Sequence, residues 1–134
     1  MTYLADSDVI ASWLVGIQRV DANLATLKRQ GLAVSTITYL EVFEGIIGGR
    51  NPRRNRQVFR TFLRGIRVIV VSRPIAERAA EIRLELRAQR RQVDHHAMDI
   101  LIAATGIEHG ITLVTGNIRD YADIPGLQLY GTQT

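Results

Sequence analysis

The chain has 134 residues, 46% of them hydrophobic and 22% charged, and no cysteine. That is about the size of one domain, apolar enough to bury a core, and it excludes disulfide scaffolds, thiol nucleophiles and cysteine-ligated metal centres. The net charge of +4 hides an asymmetry: between Arg50 and Arg91 thirteen arginines face three glutamates, a local +10 that leaves −6 for the remainder, and Lys28 is the single lysine. Guanidinium groups fork onto phosphates and carboxylates, so this segment points to a polyanion or an acidic protein surface, or else to a solvated helix face. No uncharged apolar run approaches the roughly 18 residues of a membrane span, and Asp6 and Asp8 stand where a signal peptide would need basic and then apolar residues. The expectation is one cytoplasmic domain over residues 1–134, with no membrane partner.

Strands and helices alternate along the chain. Thr2 to Ala5 is a short apolar strand that stops at Asp6, after which Val9, Ile10, Trp13 and Leu14 fall at helical spacing. Val20, Leu24 and Leu27 mark a second helix closed by Gly31, and Leu32 to Ser35 is a second strand. A third helix begins near Thr36 to Thr38, where Thr38 and Glu41 have capping-box spacing, and runs through Val42 and Ile46 to Gly48-Gly49. Asn51-Pro52 reads as an N-cap with proline in the first helical position, opening an arginine-rich helix with Val58, Phe59, Phe62 and Leu63 inward as far as Gly65. Val68 to Val71 is a β-branched run of the kind buried on both faces of a parallel sheet. Ser72 and Pro74 start a long helix with Ile75, Ala79, Ile82 and Leu86 inward. Arg90 to His96 is a polar loop, in which the adjacent His95 and His96 would point apart. Ala97 to His109 is an apolar, largely buried helix ended by Gly110. Thr112 to Thr115 is a strand, Ile118 to Tyr121 a helical turn, and Leu127 to Tyr130 the last strand. Short strands separated by helices demand right-handed crossovers, hence a three-layer α/β/α sandwich around a central parallel sheet of four or five strands.

In open α/β sheets ligands collect beyond the carboxyl ends of the strands. Asp6, Ser7 and Asp8 stand at one such end, and Thr115 and Asn117, with Asp120 a turn later, at another. Glu41 and Asp99 fall in the first turns of their helices. Each acid alone is accounted for by the helix dipole. Together they suggest more, because Asp99 leads directly into Ile100-Leu101-Ile102-Ala103-Ala104, and burying unpaired carboxylates is expensive. If they converge, their repulsion is relieved by protonation or by a bound cation. Oxygen-only ligands favour Mg²⁺ or Mn²⁺, and an adjacent arginine-rich segment then suggests phosphodiester hydrolysis by a metal-activated water.

The segments "TYLADSDVIASWL", "STITYLEVFEGI", "MDILIAATGIEHGITLVTGN" and "RDYADIPGLQLY" resemble, in order and spacing over nearly the whole chain, the PIN-domain ribonucleases and in particular the VapC-type toxins of toxin–antitoxin pairs. The resemblance implies that Asp6, Glu41 and Asp99 hold a metal ion whose water attacks RNA in line, leaving 5′-phosphate and 3′-hydroxyl ends. Ser7 takes a small-hydroxyl position, and Asp8 a position where asparagine is frequent. The family's fourth polar position maps onto Asn117 to Asp120. Many relatives carry an acid where this chain has Asn117, so Asn117 as carbonyl ligand and Asp120 as the displaced acid both stay in play, and one ion is expected to bind more tightly than a second. Ser7 and Thr115, with Arg53, Arg54 and Arg56, are the expected RNA contacts. The resemblance also implies a homodimer and a cognate antitoxin whose C-terminal segment covers the acids.

Two other classes compete. Asp6-Ser7-Asp8-Val9 also fits the opening of haloacid-dehalogenase-type phosphatases, with Asp6 as nucleophile and Asp8 as acid/base, but that fold needs a late lysine and Lys28 comes before the second strand. A receiver domain fails for the same lysine and for Ser72 standing where an acid is needed. A non-catalytic RNA- or protein-binding module using the arginine surface is the third reading. Trp13, Phe59 and Phe62 lie on apolar stripes and are read as core.

Overall fold

A computed structural model of the chain describes residues 2–16, 18–89 and 97–131. The alternation is realised as β1 (Tyr3–Ala5), α1 (Ser7–Leu14), α2 (Gln18–Gly31), β2 (Leu32–Ser35), α3 (Thr36–Ile47), α4 (Pro52–Phe62), β3 (Arg67–Ile69), α5 (Arg73–Ala88), α6 (Ala97–His109), β4 (Thr112–Thr115), α7 (Ile118–Tyr121) and β5 (Leu129–Gly131). All the strand pairs are parallel, in the order β3-β2-β1-β4-β5. The chain therefore winds outward from β1 to β3, then returns to lay β4 and β5 on the other side of β1. That reversal opens a crevice at the carboxyl ends of β1 and β4, where ligands bind in open α/β sheets.

Successive side chains point to opposite faces of a strand, and this divides the core in two. Leu4, Ala33, Ile69 and Leu113 face a cluster built with α5, α6 and Tyr121 of α7, through residues such as Ile75, Ile82 and Ile102. Ala5, Val34 and Val114 face the second cluster, with Val9 and Ile10 of α1, Leu24 of α2, Val42 of α3, and Phe59 and Phe62 of α4. The fold is thus the expected three-layer α/β/α sandwich, with five strands. Helix α6 is buried along most of its length, as its apolar run implies. Trp13 is half-buried and packs against the core, its ring 4.7 Å from that of Phe62.

Several local expectations are corrected. The run Val68 to Val71 is not buried on both faces: β3 is an edge strand beside β2, and Val68 and Val70 are 37% and 65% exposed. Its β-branched residues specify extended backbone, not depth in the sheet. Helix α3 is capped by Ser35, whose Oγ accepts from the Thr38 N–H at 3.0 Å, so Thr38 is not the cap and Glu41 lies in the second turn. Asn51 precedes α4 in the left-handed region (φ 52°) and its side chain makes no capping bond. Asn55 steadies that turn instead, its Nδ2 donating to the Arg50 carbonyl at 3.0 Å. The last strand is displaced from 127–130 to Leu129–Gly131. The polar stretch with Asp94, His95 and His96 lies outside the described residues.

Candidate active site

Asp6 directly follows β1 and caps α1, its Oδ1 accepting the Ser7 N–H at 2.8 Å. Its Oδ2 accepts from two hydroxyls, those of Thr115 at 2.8 Å and Tyr121 at 2.9 Å. The carboxylate is 4% exposed, and three donors satisfy it where water does not reach. Glu41 is delivered by α3: Ser35 caps the helix, Thr38 Oγ1 donates to the Ala5 carbonyl at 3.3 Å and pins the helix to the end of β1, and the Ser7 hydroxyl donates to Glu41 Oε1 at 3.0 Å. Asp99 stands in the first turn of α6, and its Oδ1 lies 3.2 Å from the Tyr121 hydroxyl.

These acids lie in one another's field. Burial raises the Glu41 carboxyl above 4.5, and the charges of Asp99, Asp6 and Glu44 raise it further against the lowering effect of the Ser7 bond. Asp8 rises from 3.8 to about 6 through burial and then the charge of Asp6, opposed by the N–H groups of Gly116 and Val9. Burial and the charges of Asp6 and Asp99 push the Tyr121 phenol upward as well, so it keeps its proton. Among the described residues no cationic side chain pairs with Asp6, Asp8 or Glu41, and Arg78 pairs elsewhere, with Glu81 and Glu108. The donor set is oxygen only, and Asp8 Oδ1 is buried with no hydrogen-bond partner among the described residues. Such a set of mutually repelling carboxylates fits a hard divalent cation. It is not a closed cage: among the described residues no three such groups stand together at ligating distance. The hydroxyls of Ser7, Thr115 and Tyr121 hold the acids instead.

Asn117, one of the two candidates for the fourth polar position, is bonded to Asp8. Asp8 Oδ2 accepts from the Gly116 N–H at 3.0 Å and from Asn117 Nδ2 at 3.3 Å, while the Asn117 N–H donates to Thr115 Oγ1 at 3.0 Å. Asp120 is exposed on α7, and the residue after it, Tyr121, reaches the acids. The expected RNA contact Thr115 is buried, with its hydroxyl bonded to Asp6. Tyr121 escaped the sequence reading because it occupies an apolar position of a short helix; only its phenolic oxygen, which a core position does not need, hinted at a role. Asp8, the acid/base of the phosphatase alternative, is tied through Oδ2 to Gly116 and Asn117.

A groove of about 320 Å³ opens beside the acids, with Ser7, Asp8 and Glu41 at one end, Leu14, Val42 and Ile46 along α1 and α3, and Asn55 of α4. Arg53, Arg54 and Arg56 are exposed on α4. Arg54 Nη1 donates to Asn55 Oδ1 at 3.3 Å, and the Arg56 guanidinium lies 5.2 Å from the centre of the Phe43 ring. Arg54 thus touches a residue that lines the groove, and none of the three arginines is bonded to the acids.

The PIN domain family model matches residues 3–127. Over 108 residues the chain is 31% identical to "Ribonuclease VapC2" of Rickettsia felis, covering 80% of this chain and 79% of the relative. It is 29% identical over 102 residues to "tRNA(fMet)-specific endonuclease VapC" of Shigella flexneri, covering 76% of each. A chain of the crystal structure of VapBC2 from Rickettsia felis bound to a promoter DNA fragment superposes with a TM-score of 0.89 at 25% identity, over 99% of this chain and 100% of that one. With the matched residues running from β1 to the approach to β5, and the acids gathered at the carboxyl edge of the sheet, the chain belongs to the PIN domain family, among its VapC-type toxins.

Proposed function

We propose that the chain is a divalent-cation-dependent endoribonuclease, the toxin of a toxin–antitoxin pair, acting in the cytoplasm. The observation that carries this reading is the buried Asp6 carboxylate at the end of the central strand, with Glu41 and Asp99 close enough to interact with it through space. Relatives named as VapC ribonucleases support RNA as the substrate. Asp6, Glu41 and Asp99 would hold Mg²⁺ or Mn²⁺, which when bound supplies an activated water and neutralises charge on the phosphodiester. The chain's own groups divide the remaining work. Ser7 orients Glu41 toward the other acids by donating its hydroxyl to Oε1. Of the two candidates for the fourth polar position, Asn117 is favoured by its bond to Asp8, with Asp120 exposed on α7. Arg53, Arg54 and Arg56 bind phosphates of the strand beside the groove. Hydrolysis with departure of the 3′ oxygen leaves 5′-phosphate and 3′-hydroxyl ends.

Several similar solved structures are VapBC or toxin–antitoxin complexes, which supports a cognate antitoxin as partner. The groove with an apolar wall along α1 and α3 and an acidic end fits the antitoxin's C-terminal segment. A homodimer belongs to the same reading and is tested by light scattering. Incubating the purified chain with total RNA in Mg²⁺ or in EDTA, then mapping the cut ends, tests the activity. Cleavage that persists in EDTA, or 2′,3′-cyclic phosphate ends, would overturn it.

A further inference from the structure

Tyr121 is the largest fully buried side chain among the described residues, 1% exposed, with its ring on the α5–α6 side of the core. A buried phenol requires a hydrogen-bond partner, and here the partners are two carboxylates from two different elements. The hydroxyl stands 2.9 Å from Asp6 Oδ2, at the end of β1, and 3.2 Å from Asp99 Oδ1, in the first turn of α6. One O–H carries one proton, so both bonds draw on the same donor, and the rigid ring fixes where that donor sits.

Resting on the cation-dependent reading above, we propose that Tyr121 is a positioning residue that sets the separation of Asp6 and Asp99 and thereby the affinity of the site for a divalent cation. It touches neither the phosphodiester nor the ion and acts through the two acids. Groups that orient metal-ligating side chains typically change metal affinity or activity by about 10–100-fold when removed.

Tyr121→Phe keeps the ring in the core and deletes one oxygen. Calorimetry with Mn²⁺ on the RNA-free chain is expected to show binding weakened about 10- to 100-fold. At fixed Mg²⁺ the kcat for RNA should fall with the KM for RNA unchanged, and excess Mg²⁺ should restore the rate. A variant that binds Mn²⁺ as tightly as wild type, or more tightly, overturns the proposal. If Tyr121→Phe does not fold, the wild-type chain still tests the idea: Mg²⁺ should perturb its tyrosine ultraviolet absorption, and an unmoved spectrum overturns it. A wild-type chain that binds no Mn²⁺, with Asp99→Asn as the matched control, overturns the underlying cation site and this proposal with it.

Discussion

Asp8 shares a buried corner with Asp6, and its carboxyl titrates near 6 against an ordinary 3.8 because burial and the neighbouring anion favour the neutral form. Between those two values the folded chain binds a proton that the unfolded chain has released. Stability contributed by that proton is therefore full below about pH 4 and is lost as pH rises through about 6. Asp8→Asn mimics the neutral form and should raise stability at pH 7 by about 1–2 kcal/mol, allowing for partial solvent screening. Melting curves in chelator between pH 4 and 7 check this, and a variant that melts lower than wild type at pH 7 contradicts it. The neighbouring acids separate in a different way. Asp99→Asn should abolish cleavage with stability unchanged or slightly raised, since it removes one of the clustered charges. Asp6→Asn should also abolish cleavage but lower stability, because it disturbs a cap and two hydroxyl bonds at once. Parallel RNA-cleavage and urea-unfolding assays distinguish the two. Asp6, Glu41 and Asp99 were legible in the sequence because acids beside apolar runs are conspicuous. Tyr121 was not, since a phenol on a core position looks like any other apolar residue until its oxygen is placed.

At the scale of elements, α3 is the arm that carries Glu41 to the centre, and its seat is set by Ser35 and Thr38. Ser35→Ala should lower stability by about 1 kcal/mol through the lost cap, and cleavage should fall with it as α3 loosens against β1. Denaturant midpoints and initial rates test this, and a variant with reduced stability at full activity would detach the cap from the site. Helix α4 makes a separate prediction. Charge reversal at Arg53 and Arg54, both exposed, should weaken RNA binding and flatten its dependence on salt, because fewer counterions are released. An unchanged salt slope would return α4 to the status of a solvated face. The positions of the helices were legible from apolar spacing and from glycine and proline punctuation. Their caps were less so: Ser35, Thr36 and Thr38 all offer a hydroxyl near the start of α3, and only the backbone geometry selects Ser35.

Across the whole molecule, the three layers could be read from alternating strands and helices, but the order β3-β2-β1-β4-β5 could not. Val68 to Val71 shows why: local sequence encodes an extended backbone, whereas edge or centre is decided by which distant strand arrives beside it. That same order has a consequence for the making of the protein. Asp6 is bonded to Thr115 and Tyr121, 109 and 115 residues further along. During synthesis β1 and β2 are made long before β4, and the constellation cannot assemble on a nascent chain that has not yet delivered α7. The groove, in contrast, is lined by residues from Ser7 to Asn55. Its wall residues leave the ribosome before the last of the site does, yet the core beneath them includes Val114 of β4, so groove and site are completed by the same late strand.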